Sequence, residues 1–548
     1  MFFDETQIVA MFVRPFAPLI VLLIQIYYQL IHYVYIIFTW KRPKRVAPRI
    51  GLEADDQLVL YSAVELADKV RHRAFSVTRV VEAYIKRIET VNPIINAVVQ
   101  RNYDEARQLA REYDDYLGVL ETSSNEYKKL AETKPLLGVP FSVKDHFDVQ
   151  GLLNSAGLPC RRNAKPADKD CGLVEALKAA GGIPIATTNV PEGLLHMETI
   201  NTVFGRTSNP YDDRLTCGGS SGGEAALVAS AGSVFGIGSD IGGSIRIPAL
   251  FCGLFGLKPT RAMTPMDGMI PDKMPDAQAN MLSIGPICRN AKDLKPLLKV
   301  FIGPKNSTRL RLDKPVNLES IRIFTQNGPT GRISSAPLDW DVQKAHSTTI
   351  EVLERCIKRP SIPVNLDLTK YASDFWFAHF SALEAMPVGH FFTGFTWDNQ
   401  LDFVREFRLW LSGKSEHTTA AIEATAMDWF CRRFVNSDRD QILRLKDRLH
   451  AQLMEILGDD GILIWPSFPH SSYRHNELLW TPFHFETTAL WNALSFPVVT
   501  CPVGLNSSGI PVGVQIIAAP DNERLLCSIA ELLEEELSGW RCPPGPML

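Results

Sequence analysis

The chain has 548 residues, 45% of them hydrophobic, with 57 basic side chains against 61 acidic ones and a formal net charge of −4. A chain of this length buries a large core and has room for two to four domains, and so even a charge balance leaves no electrostatic footprint for nucleic acid. The 10 cysteines lie scattered without C-x-x-C pairs or His/Cys clusters, and neither G-x-x-x-x-G-K-[ST] nor G-x-G-x-x-G occurs, so no zinc site, disulfide framework, nucleotide or other cofactor is expected.

In chain order, the first element is the run Pro15–Trp40, PFAPLIVLLIQIYYQLIHYVYIIFTW, 26 residues without Asp, Glu, Lys or Arg. About 20 apolar residues span a hydrocarbon core of ~30 Å, so the run reads as a single transmembrane helix. A cleaved signal peptide fits less well, since Phe38-Thr39-Trp40-Lys41-Arg42 offers no small-residue site. Gln25, Gln29 and His32 dilute the run, and the alternative is a buried or interfacial helix. Lys41, Arg42, Lys44 and Arg45 follow it, against Arg14 alone before it, which places the body on the cytosolic side. Residues 1–45 are therefore expected to anchor the protein to an intracellular membrane, that of the endoplasmic reticulum or a lipid droplet, with residues 46–548 as the body.

Past the basic cluster, helices alternate with short strands. Ser62-Ala63-Val64-Glu65 has the form of a capping box, Thr78 to about Val91 predicts a helix ending before Asn92-Pro93, and Asn102–Leu117 predicts a third. The apolar run Leu136–Phe141 reads as a buried strand leading into Lys144. Leu173–Ala180 then IPIAT, and Glu224–Ala231 then Val234–Ile237, are two helix-to-strand steps, and such alternation argues for an α/β sheet with helices on its faces.

Cys217–Gly256 is the stretch that carries chemistry. It sets Ser220 and Ser244 in glycine-rich turns 24 residues apart, with Lys144 lying 76 residues before the first serine. Glycine is kept where φ is positive or backbones approach closely, and the amides of Gly242, Gly243 and Ser244 suit a developing negative charge beside the Ser244 hydroxyl. A lysine serves a serine as base only when neutral, and bringing it from ~10.4 to about 7 takes roughly 4–5 kcal/mol, for which burial at a strand end is the available lever. Taken singly, Lys144 reads as a solvated residue, Ser220 and Ser221 as a helix N-cap and Ser244 as a loop residue. Arg246 reads as a structural partner of Asp240 or another nearby carboxylate. Gly218-Gly219-Ser220-Ser221-Gly222 also satisfies G-x-S-x-G, but a nucleophile elbow needs a buried strand before it. Thr207–Arg214 is polar, and the histidines that would complete a triad, His470 or His484, sit in no motif.

From about residue 60 onward the segments LLGVPFSVKD, GGSSGGEAAL, GSDIGGSIRIPALFCGLFGLKPT and SFPVVTCPVGLNSSGIPVGVQIIAAP resemble the amidase signature hydrolases, and within them the fatty-acid amide hydrolases. The resemblance implies a mixed twisted sheet covered by helices on both faces, forming one catalytic domain over 46–548. It also implies a Ser-Ser-Lys triad, with Ser244 as nucleophile, Ser220 as bridging serine after a cis peptide bond and Lys144 as base, and Ile241, Gly242, Gly243 and Ser244 as oxyanion hole. By the same resemblance, Leu194, Leu195 and Met197 fall where that family has its acyl-pocket segment. Residues of about 310–455 carry many aromatics, among them Phe375, Trp376, Phe377, Phe391, Phe392, Phe395, Trp397, Trp410, Trp429 and Phe430. They are expected to form a helical cap that lines an acyl tunnel and its bilayer entrance, or else to fill a core. The expectation is thus a membrane-anchored fatty-acid amide hydrolase acting on a lipid amide, with membrane lipid as partner and a homodimer left open. A hydrolase or amidotransferase-type subunit for small amides, and a non-catalytic tethered binding protein, are the alternatives.

Overall fold

The computed structural model describes residues 17–39, 41–329, 336–435 and 438–544, so Pro15, Phe16 and Trp40 of the apolar run lie outside it. Its centre is built from β1 (Val98–Arg101), β2 (Pro140–Lys144), β3 (Ile183–Thr188), β4 (Phe235–Asp240), β5 (Phe255–Lys258), β6 (Ser283–Cys288), β7 (Arg322–Thr325), β8 (Ile362–Pro363), β9 (Gly461–Pro466), β10 (Val498–Leu505) and β11 (Pro511–Ala518). They form one sheet in the order β1-β3-β2-β4-β6-β5-β10-β11-β9-β7-β8. The sheet is mixed: β2 runs parallel to β3 and β4, while β10 and β11 pair antiparallel. β2, β3, β4, β9 and β11 are buried along their whole length, which is why they read as unbroken apolar or small-residue runs. Alternate residues of β9 enter different apolar clusters, Ile462 and Ile464 in one and Leu463 and Trp465 in the other, so both faces of the sheet are covered.

Local signals place some of the helices. Ser62 and Glu65 form the reciprocal capping box. The next helix, Val77–Ile95, runs through Pro93 and stops at Asn96 in the left-handed conformation. The expected stop before Asn92-Pro93 is therefore corrected: the Asn92 side chain accepts from the Ala97 and Val98 amides (both 2.8 Å), tying the helix end to β1. The stretch 310–455 is not wholly a helical insert, because β7 and β8 extend the main sheet. The helices that matter for function are α1 (Ala17–Thr39), α2 (Gly222–Ala229), α3 (Arg246–Phe251), α4 (Ala372–Phe380), α5 (Phe403–Leu411) and α6 (Thr419–Val435).

The expected transmembrane span is corrected. Among the described residues no helix is long and apolar enough to cross a membrane. α1 is instead clamped to the body: Tyr28 is buried against the His484 ring, His32 Nδ1 lies 2.6 Å from Glu477, and Trp480 donates to the Tyr35 hydroxyl at 2.9 Å. His32, which dilutes the apolar run, thus serves docking alongside the two tyrosines. The opposite stripe, Ile26, Leu30, Tyr33 and Ile37, is exposed at helical spacing.

Candidate active site

Because β2 and β4 are parallel neighbours with Val143 opposite Ile237, Lys144 and Asp240 finish at the same edge of the sheet, where α/β sheets open their ligand crevices. Lys144 is fully buried, and its Nζ lies 2.8 Å from Ser220 Oγ and 2.9 Å from Ser239 Oγ. Burial lowers its pKa to about 7, against the opposing pull of Asp240 and Glu224, so the lever read from the sequence is in place. Burial likewise raises Glu224 to about 8, although Ser142 and Thr188 donate hydrogen bonds to its carboxyl.

The two serine loops meet in front of this lysine. The Gly219–Ser220 peptide is cis, and Ser221 donates its N–H to the Ser244 carbonyl at 3.2 Å. Gly218 has φ +84°, and a Cβ there would stand 2.7 Å from Pro248 Cα, so this contact between α3 and the serine turn requires glycine. Asp240 organises the Ser244 turn, accepting from the amides of Gly243 (2.7 Å) and Ile245 (3.1 Å) and from the Arg246 fork at 2.9 and 3.0 Å. Burial pushes the Asp240 pKa up, but Arg246 overrides it and holds the carboxyl at about 2. Arg246 also donates to Asn492 Oδ1 (2.6 Å) and Gln515 Oε1 (2.8 Å), which is the structural role expected of it. The Gly243 amide is thereby spent, whereas those of Ile241, Gly242 and Ser244 carry no side-chain acceptor among the described residues.

Ser244 faces two cavities. The larger, of about 160 Å³, is lined by Leu194, Leu195, Met197, Ile241, Gly242 and the aromatics Trp376, Phe377, Phe380 and Phe485. Trp376 is fixed there by donating to the Ile241 carbonyl at 2.7 Å and stacking on Phe380. The smaller cavity, of about 30 Å³, is bounded by Ser220, Ser239 and Ser244, with Leu194, Phe391 and Phe395. The aromatics named from sequence thus divide: four line cavities, Phe375 and Phe392 are buried in the core, and Trp397, Trp410, Trp429 and Phe430 are exposed. The two later histidines that the elbow alternative named are engaged elsewhere, His484 Nδ1 with the Tyr473 hydroxyl at 2.8 Å and His470 beside Asp339. The strand before Ser220 is also wrong for it, being part of a two-stranded ribbon outside the main sheet.

Ser239, the second partner of Lys144, and Glu423 of α6, which lines the larger cavity, stand in no pattern that the sequence analysis reads as a site. Burial pushes Glu423 up to about 8 from an ordinary value of 4.5. Between those values the folded protein keeps a proton that the unfolded chain has released, so stability falls as pH rises from about 4.5 to about 8. Glu423→Gln is expected to raise the unfolding temperature at pH 8 and by clearly less at pH 5. An equal gain at both pH values in a thermal melt would show that burial does not hold the carboxyl protonated.

The family model described as Amidase matches residues 79–527. The chain belongs to the amidase signature family. It is an amide-hydrolysing enzyme. Fatty-acid amide hydrolase 2 of Homo sapiens is 37% identical over 494 residues, 89% of this chain and 91% of that protein. Fatty-acid amide hydrolase 2-B of Danio rerio is 36% identical over 505 residues, 92% and 93% of the two chains. A solved structure of fatty acid amide hydrolase superposes with a TM-score of 0.67 at 22% identity, covering 87% of this chain and 86% of that one, and shares the fold.

Proposed function

We propose that this enzyme is a serine hydrolase of fatty-acid amides, with Ser244 as nucleophile, Ser220 as proton bridge and Lys144 as base. Neutral Lys144 Nζ takes the Ser220 proton while Ser220 Oγ takes that of Ser244, whose oxygen attacks the carbonyl carbon. The tetrahedral oxyanion is held by the amides of Ile241, Gly242 and Ser244, that of Gly243 being committed to Asp240. The relay then runs back, Ser220 protonates the nitrogen, the C–N bond breaks and the amine leaves. Water attacks the acyl-Ser244 ester by the same relay, releasing the fatty acid. The observation that carries this reading is the buried Lys144–Ser220 contact of 2.8 Å on a small cavity that Ser244 joins to a large apolar one, and the names of the two relatives support it. Each buried methylene contributes ~0.8 kcal/mol, about four-fold in binding. kcat/KM is therefore expected to rise at least about 100-fold from acetamide to a long-chain acyl amide. A flat or inverted series would favour the small-amide reading.

A lipid substrate arrives from a membrane, and the exposed apolar residues supply an interfacial surface in place of a span. Val404, Phe407, Trp410 and Leu411 of α5, Trp429 and Phe430 of α6 and the outer stripe of α1 are all solvent-facing. The double substitution Phe407→Glu, Trp410→Glu is expected to lower partitioning onto phosphatidylcholine vesicles at least about ten-fold in a sedimentation assay. Unchanged partitioning would remove α5 from that surface.

A further inference from the structure

His146 follows the catalytic strand by two residues and is almost wholly buried. Its Nδ1 lies 3.0 Å from the Ile270 carbonyl. A carbonyl only accepts, so Nδ1 carries the hydrogen and Nε2 presents a lone pair. Burial, with Lys144 nearby, holds the imidazole well below the usual histidine pKa, so the ring is neutral. Nε2 is buried without a hydrogen-bond partner, an arrangement that native structures seldom leave unexplained. His146 lines the small cavity, whose remaining wall is mostly apolar: Met269, Ile270, Pro271, Met274 and Leu282. The hydroxyls of Ser220 and Ser239 in that cavity are already engaged with Lys144.

The two cavities at Ser244 are not equivalent for an amide. Ser220, the group that hands its proton to the departing nitrogen, lines the small cavity, whereas the large one is bounded by Gly219 at that point. The nitrogen must therefore lie on the small side, and the acyl chain takes the larger apolar cavity. A space of about 30 Å³ has room for one or two water-sized groups.

We propose that the small cavity receives the leaving amine and that His146 Nε2 accepts a hydrogen bond from its N–H, so that His146 favours an amide over the ester of the same acyl chain. This rests on the Ser244–Ser220–Lys144 reading and deepens it to the amine side of the substrate. The bond involves no proton transfer to His146: the ring orients the nitrogen toward Ser220, which remains the donor.

The test compares a primary amide with the methyl ester of the same acyl chain, because the ester oxygen has no hydrogen to donate. His146→Ala is expected to lower the amide-to-ester ratio of kcat/KM by about five- to thirty-fold, the range of one hydrogen bond lost in a buried site. His146→Leu fills the same space without an acceptor and is expected to do the same should the alanine protein not fold. His146→Gln, which returns an acceptor oxygen, is expected to restore part of the ratio. An unchanged ratio in His146→Ala or His146→Leu, whatever the absolute rates, overturns the assignment. Failure of a fluorophosphonate to label Ser244 in the unmodified enzyme would instead overturn the reading on which it rests.

Discussion

Ser244→Ala is expected to lower kcat for amide hydrolysis by about 10⁴- to 10⁶-fold, the range seen when a covalent nucleophile is removed from a serine hydrolase. The protein should remain folded. What holds the turn is the Asp240 carboxylate, through Gly243, Ile245 and Arg246, and the Ser244 carbonyl, not its hydroxyl. A thermal melt close to that of the unmodified enzyme, together with lost turnover, separates chemistry from stability. Retained turnover would move the nucleophile elsewhere, with Ser220 the first candidate.

The second large effect belongs to the proposed base. In the proposed relay Lys144 takes the Ser220 proton only when neutral, and burial brings its pKa down to about 7, so kcat/KM should rise with pH through about 7 and flatten above. The sign follows from the charge: acid protonates the amine and stops it taking the Ser220 proton. Lys144→Ala is expected to lose about 10²- to 10⁴-fold at pH 7 and to lose the inflection, its residual rate climbing with hydroxide concentration. Glu224, raised by burial to about 8, favours the charged form of Lys144, so Glu224→Gln is expected to move the inflection to lower pH. A Lys144→Ala enzyme with a near-native rate and unchanged profile would exclude it as the base.

What the sequence disclosed and what it hid follow the range of each interaction. The capping box at Ser62 and Glu65 is local and forms where the residues place it, whereas the strand expected over Leu136–Phe141 forms instead at Pro140–Lys144, because residues 135–138 are spent on a largely buried turn. The serine loops were legible because glycine at close approaches leaves a mark in the text. Val77–Ile95 overran its expected end because Asn92 caps β1 as well as closing the helix, a tertiary use that composition does not show. His32 meets Glu477 across 445 residues of chain, so an apolar run that satisfied a membrane-span pattern gave no hint of the surface it docks on. Ser239, His146 and Glu423 carry no motif; the first two acquire meaning only once β2 and β4 lie side by side, and the third once α6 closes the cavity.

The most direct measurement of the catalytic assignment is to react the enzyme with a fluorophosphonate, digest it and map the modified residue by mass spectrometry. The expected result is one phosphonylated peptide carrying the adduct on Ser244, formed faster as pH rises through about 7 and absent from Ser244→Ala. An adduct on Ser220, or none on the Cys217–Gly256 stretch, would contradict the Ser244–Ser220–Lys144 relay.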